Sequence, residues 1–137
     1  MPQARLTGSC LCGAVRFELS PPLRDVIFCH CRQCAKWTGS AVAATAVSPE
    51  NFTLIEGADA LAWYSASKHA ERGFCARCGS SLFWKPTDGS RIAVLAGTLD
   101  QPTGLVTRAH VFVADKSDFY DIADDAPHFD ASGEPAK

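Results

Sequence analysis

The stretch Cys75-Ala76-Arg77-Cys78-Gly79 sets two thiols three residues apart and follows them with a glycine. This is the form of a zinc knuckle: a tight turn brings the two sulfurs together, and a glycine can take the positive φ that closes it. Working outward, Cys10-Leu11-Cys12 supplies a second close pair, and Cys29-His30-Cys31-Arg32-Gln33-Cys34 combines both spacings. In a strand, residues i and i+2 point to one face, so Cys10 and Cys12 can reach one metal from an extended segment. Cys29 and Cys31 read as an extended pair, with Cys34 placed by a turn or a first helical turn.

The cysteines number seven, and an odd total cannot all pair within one chain. Neighbours as close as Cys10 and Cys12 would also make a strained bridge. The opening Met1-Pro2-Gln3-Ala4-Arg5-Leu6 has no apolar core and no small-residue cleavage site, so a cytoplasmic chain with reduced thiols is expected. Zinc, which takes four soft ligands tetrahedrally, is the natural partner for such thiols. Two pairs complete one closed, structural four-cysteine site. The remaining three cysteines plus an open fourth position are the pattern of a catalytic zinc. The natural division is Cys10, Cys12, Cys75 and Cys78 at the structural ion and Cys29, Cys31 and Cys34 at the open one, two zinc ions per chain. Spacing alone leaves another grouping open, in which Cys29 and Cys31 join Cys75 and Cys78. Iron in place of zinc is open too.

A length of 137 residues, 47% hydrophobic and 20% charged, suits one zinc-binding β domain spanning residues 1–137. No run of 18 apolar residues occurs, so no membrane helix is expected. The net charge of −2 is unevenly spread: residues 1–114 carry 11 basic and 8 acidic side chains, residues 115–137 carry 2 and 7. The mildly positive body suits a small anionic molecule and is too weak for nucleic acid, which needs a basic stripe. The acidic end reads as solvated surface, and residues 130–137, with Gly133 and Pro135, as a loose tail.

Residues Val15 to Leu19 alternate apolar and polar, as a half-buried strand does. Asp25 to Phe28 runs into the central cysteine group, and residues 31–37 can make a short helix stopped near Gly39. Ser40 to Val47 reads as a buried strand, and Ser48-Pro49-Glu50 as the start of one helical turn. Phe52 to Ile55 and Leu61 to Tyr64 read as strands around Gly57. Ser81 to Lys85 should return antiparallel after the knuckle, Asp88-Gly89 should turn it into Ile92 to Leu95, and Ala109 to Val113 is a last strand. The expected class is mainly β, antiparallel sheets with one or two short helices.

Gly8-Ser9-Cys10-Leu11-Cys12-Gly13-Ala14-Val15, the central Cys29 to Cys34 group, Gly39-Ser40, Arg72 to Ser80, Gly97-Thr98-Leu99-Asp100 and His110-Val111-Phe112-Val113 with Lys116 together resemble the glutathione-dependent formaldehyde-activating enzyme family. The likeness runs over residues 5–129, with all seven cysteines in register. It implies a zinc-stapled β-tent fold, carbon–sulfur lyase activity, and the division of cysteines given above, with Cys29, Cys31 and Cys34 catalytic. The sequence departs from the family where Thr107-Arg108-Ala109 stands in place of a proline, and where Phe119-Tyr120 stands in place of a tryptophan. Both departures point to a different substrate pocket.

Three thiolates and one Zn²⁺ sum to a formal charge of −1, and such a site favours a fourth soft ligand, a substrate thiol. Coordination lowers a thiol pKa from about 8.5 and presents a thiolate at neutral pH. Reversible carbon–sulfur chemistry follows, with S-hydroxymethylglutathione, formed from or split to glutathione and formaldehyde, as the family's case. Glutathione, the expected partner, carries two carboxylates; Arg32 and Lys36 are the cations nearest the trio in sequence, and Arg72 a weaker candidate. The plain alternative for each is a solvated surface charge. His30 should face away from its neighbouring ligands, a fourth ligand or proton shuttle being the alternative. His110 reads as a hydrogen-bonded core residue, and His69 and His128 as loop residues. Phe28, Trp37, Phe74, Phe83 and Trp84 read as core. Two other functions compete: a non-catalytic zinc-binding interaction module, and a thiol redox switch. The oligomeric state is open, a homodimer being one option.

Overall fold

A computed structural model describes residues 3–132. Along the chain run β1 (Leu6–Ser9), β2 (Arg16–Leu19), β3 (Arg24–Cys29), α1 (Arg32–Thr38), β4 (Val42–Val47), β5 (Phe52–Glu56), β6 (Leu61–Tyr64), β7 (Ala70–Cys75), β8 (Ser81–Pro86), β9 (Ile92–Leu95) and β10 (Thr107–Val111). Single 3-10 turns occupy Pro49–Asn51, Ala96–Thr98 and Val113–Asp115. The protein is mainly β, as expected, and α1 is the one α-helix among the described residues. No described helix is long and apolar enough to cross a membrane. Two compact units divide the chain: Met1–Arg24 with Thr45–Gly104, and Asp25–Ala44 with Leu105–Lys137.

In the first unit β2 pairs antiparallel with both β1 and β5. Its alternation works as the sequence suggests: Phe17 and Leu19 are buried, Arg16 is exposed and Glu18 half-buried. The strands β9, β8, β7 and β6 follow in order, with the end of β4 beside β9. Cross-strand neighbours on this sheet are Trp63 and Gly73, Gly73 and Phe83, and Phe83 and Val94. The core centres on Phe83, fully buried. It meets Phe17 and Phe52 edge-on, each at 5.0 Å between ring centroids, and stacks on Trp63 at 6.1 Å. The two cysteine turns of this unit start where β1 and β7 end.

The second unit contains a feature with no sequence signal: β10 runs parallel to β3, with Ile27 opposite Ala109, Phe28 opposite His110, and Cys29 opposite Val111. Parallel pairing joins segments far apart in the chain, so local turn chemistry cannot announce it. Ile27, Ala109 and Val111 form its buried cluster, with Phe112 and Phe129 packed on it. The chain then returns along β10: His110 N donates to Pro127 O, Phe129 N to His110 O and Phe112 N to Ala131 O, each at 2.9 Å. His128 lies outside the strands, as a loop residue should, and one isolated bridge sets it opposite His110. Ala131, assigned to the tail from sequence, is likewise bonded; Gly133, Pro135 and the rest of residues 133–137 lie outside the described residues.

Helix α1 starts at Cys31, an extended N-cap whose sulfur accepts from Cys34 N, and stops at Gly39 with φ 92°. The last strand ends at Val111 rather than Val113, because Phe112 turns to a left-handed φ of 55°.

Removing the ring at the centre of the first unit should be costly. Phe83→Ala is expected to destabilise the protein by about 3–5 kcal/mol in chemical denaturation, as large aromatic truncations in cores do; a loss below about 1 kcal/mol would contradict this packing.

Candidate metal centres

Cys10 and Cys12 lie in the turn between β1 and β2, not in a strand as their spacing suggested. The reason is local. Cys10 N donates to Val15 O and Gly13 N to Cys10 O, both at 3.1 Å, and Gly13 has φ 83°. The second turn repeats the device: Cys75 N donates to Ser80 O at 2.9 Å, Gly79 N to Cys75 O at 2.8 Å, and Gly79 has φ 82°. Leu11 N donates to the Ser80 hydroxyl at 2.9 Å, tying one turn to the other.

The four sulfurs of Cys10, Cys12, Cys75 and Cys78 lie within 4.8 Å of one another. Cys10 and Cys12 are 3.6 Å apart, and Cys12 and Cys75 3.9 Å. A tetrahedral ion with zinc–sulfur bonds of about 2.3 Å would space its sulfurs about 3.8 Å apart, so this set fits such an ion. Backbone amides point at the sulfurs: Val15 N at 3.2 Å from Cys10 Sγ, and Arg77 N and Cys78 N each 3.4 Å from Cys75 Sγ. Donors of this kind favour the thiolate. The Ser80 hydroxyl, 3.2 Å from Cys78 Sγ, is the largest cause pulling the Cys78 thiol down to about 5. The Ala14 amide pulls Cys12 down, but burial and the neighbouring sulfurs override it and push Cys12 up to about 11.

Cys29, Cys31 and Cys34 bring their sulfurs within 4.8 Å of one another as well. Cys29 ends β3, Cys31 caps α1, and Cys34 is the buried residue of its first turn. The Cys29 and Cys34 thiols hydrogen-bond Cys31 and, with backbone amides of Cys34 and Gln33, outweigh burial and lower its pKa to about 2. The same contact with Cys31 pushes Cys29 far up. Cys31 thus gives up its proton readily while Cys29 holds its own. Among the described residues no histidine, carboxylate or further thiol joins it.

His30 explains part of that. Its Nδ1 lies 2.7 Å from the Tyr120 hydroxyl and its Nε2 2.9 Å from His110 Nδ1, so both ring nitrogens are engaged away from the trio. His110 Nε2 in turn lies 3.0 Å from each oxygen of Asp124. His30 and His110 are both buried, and the Phe28 ring stacks on His110 at 5.1 Å. His110 is a hydrogen-bonded interior residue, as its apolar strand implies.

Of the cations named from sequence, Arg32 is exposed and its Nη1 donates to the Ser117 hydroxyl at 2.8 Å. Lys36 is exposed in the last turn of α1, and Arg72 is buried in β7 of the first unit. Tyr120, to which sequence reasoning assigned no role, is the hydroxyl that pairs with His30. Burial raises its phenol pKa, with Arg32 opposing the rise and Cys29 adding to it. Lys116 sits 4.8 Å from the Tyr120 ring centre and donates to the Tyr120 carbonyl. The only sequence signal was indirect: Phe119-Tyr120 is one of the two places where the chain departs from the family pattern.

Residues 5–115 match the family model described as glutathione-dependent formaldehyde-activating enzyme, and the chain belongs to that family. Among relatives, an uncharacterised lyase of Schizosaccharomyces pombe is 28% identical over 89% of this chain and 88% of its own length. A Halomonas elongata protein, provisionally named as a glutathione-dependent formaldehyde-activating enzyme, is 32% identical over 85% of this chain and 80% of its own. A crystal structure of a Rhodobacter sphaeroides protein shares the fold, with a TM-score of 0.61 at 24% identity over 74% of this chain and 97% of that one.

Burial lowers the His30 pKa, and the charges of His110 and Lys116 add to it. Unfolded histidine takes its proton near pH 6.5, so this contribution to stability is complete above about pH 6.5 and is lost as pH falls through the lower folded value. Imidazole nitrogen NMR should find His30 neutral at pH 6.5; a midpoint at or above about 6.5 would contradict the buried, doubly bonded ring.

Proposed function

We propose that the protein is a zinc-dependent carbon–sulfur lyase acting on a thiol adduct, with S-hydroxymethylglutathione, formed from or split to glutathione and formaldehyde, as the family-indicated substrate. The observation that carries this reading is the three-sulfur cluster of Cys29, Cys31 and Cys34, which no other described metal-binding side chain completes. A four-sulfur set such as Cys10, Cys12, Cys75 and Cys78 is self-sufficient and suits a structural ion. A three-sulfur set is one donor short of a tetrahedron, and a substrate thiol is the soft donor that completes it. The names of the Halomonas and Schizosaccharomyces relatives point the same way.

Zinc bound by the trio would supply a soft electrophilic position that acidifies a thiol and holds it. The chain's own residues do the rest. Cys29, Cys31 and Cys34 bind and orient, fixed by the end of β3 and the first turn of α1. In the forming direction a sulfur–carbon bond is made to the aldehyde carbon, and the thiol proton ends on the aldehyde oxygen; splitting reverses both. Tyr120, hydrogen-bonded to His30, is the hydroxyl we assign to hold that proton at the adduct oxygen. Arg32 and Lys36, both exposed on the helix of the trio, are the cations we assign to the carboxylates of the thiol substrate. The whole chain is taken to act as one zinc-binding domain in the cytoplasm.

Metal analysis of untreated protein should find two zinc ions per chain, and a screen of small thiols should find saturable binding. Cys31→Ser should lose one ion, thiol binding and turnover while keeping the far-ultraviolet spectrum of the parent. Full turnover in that variant would refute the scheme. Cys12→Ser should instead lose thermal stability with its ion, since a closed four-ligand site contributes folding energy directly.

A further inference from the structure

The second unit holds another group of metal-ligating side chains, distinct from the trio. One ligand atom each from His110, Asp124 and His128 lies within 4.8 Å of the others. His110 is buried in β10, while Asp124 and His128 are exposed on the returning segment. Asp124 and His128 lie beyond residues 5–115, the stretch that the family model matches. We propose that these three residues form a further site for a divalent first-row transition ion.

Three observations carry it. The first is the backbone. His110 N bonds to Pro127 O and Phe129 N to His110 O, which brackets His128 directly opposite His110. The two imidazoles meet edge to face with centroids 5.2 Å apart. The second is the carboxylate. Asp124 Oδ1 and Oδ2 both stand 3.0 Å from His110 Nε2, and Oδ1 also accepts from Ala126 N at 3.0 Å. Two ligand atoms each about 2.0–2.2 Å from one tetrahedral ion lie about 3.3–3.5 Å apart, so a few tenths of an ångström convert this contact into a ligand pair.

The third is orientation. A metal-binding imidazole usually engages its other nitrogen in a hydrogen bond that fixes tautomer and plane. His110 Nδ1 faces His30 Nε2 at 2.9 Å, leaving Nε2 for the ion. A plain ion pair accounts for His110 and Asp124 alone, and with an Asp124 side chain 48% exposed it would contribute little. It gives no reason for a second imidazole on the same point. Two imidazoles and a carboxylate select zinc, iron, cobalt or nickel over calcium or magnesium. The bound ion would clamp the segment from Asp124 to His128 onto β10.

The test uses the full-length protein with its cysteine sites loaded with zinc, titrated with cobalt(II). One further equivalent is expected, with weak d–d absorption and no sulfur-to-cobalt charge-transfer band. His128→Ala and Asp124→Asn should each weaken that equivalent by at least about tenfold and leave the zinc content unchanged. Both residues are exposed, so neither change threatens the core, and imidazole NMR of the parent should show His128 shifting on cobalt addition. Three results would overturn the site: no further equivalent, cobalt entering only with a sulfur charge-transfer band, or binding unaltered in both variants. None of these measurements depends on lyase activity, so failure here and failure of the proposed function are separately visible.

Discussion

Sulfur crowding is the constraint on which the rest of the structure depends. Seven thiols are gathered into two clusters whose sulfurs lie within 4.8 Å of one another. Unit charges about 4 Å apart repel by about 1 kcal/mol in water and about 4 kcal/mol near a protein surface. Packed this closely, thiols cannot all ionise unless a cation neutralises them. The shifts show the conflict: Cys78 and Cys31 are driven down while Cys12 and Cys29 are driven up. Each cluster thus holds a proton economy that a divalent soft ion would resolve, and amide donors already aim at Cys10, Cys75 and Cys31.

The two clusters resolve the crowding with different numbers of donors. In the first unit, two turns of the same construction face each other and supply four sulfurs. In the second, one strand end and one helix start supply three. What keeps a fourth donor from joining is the fate of His30. It sits between two of the cysteines in sequence, yet its ring is turned into a buried row with Tyr120 and His110 and has no nitrogen left over. Burying an imidazole is tolerable only when both nitrogens are matched, so the row that satisfies His30 also withdraws it from the trio. The same row links the surroundings of Cys29 to Asp124, in a part of the chain beyond the family match.

Strand identity was largely legible. Phe17 and Leu19 are buried on one side of β2, and Ser81 to Lys85 runs back antiparallel to β7, both as patterning suggested. The start and stop of α1 were legible too, because Gly39 ends it with a positive φ. The strand assigned to Cys10 and Cys12 was not there. A Cys-x-Cys-Gly segment can be extended or turned, and the backbone bonds to Val15 and from Gly13 decide for the turn. Neither the β10 to β3 pairing nor the return of residues 127–131 had any local signature.

By itself the sequence determined which side chains could hold metal, and that they come in close sets, since spacings of two and three residues are imposed by covalent geometry. Only the tertiary structure decided that Cys12 meets Cys75, 63 residues away, so that two distant turns share one cluster of sulfurs. It alone set Tyr120, Asp124 and His128 beside a buried histidine pair. Such meetings depend on sheet register and on parallel pairing between distant segments, and no short stretch of chain contains the energy that selects them.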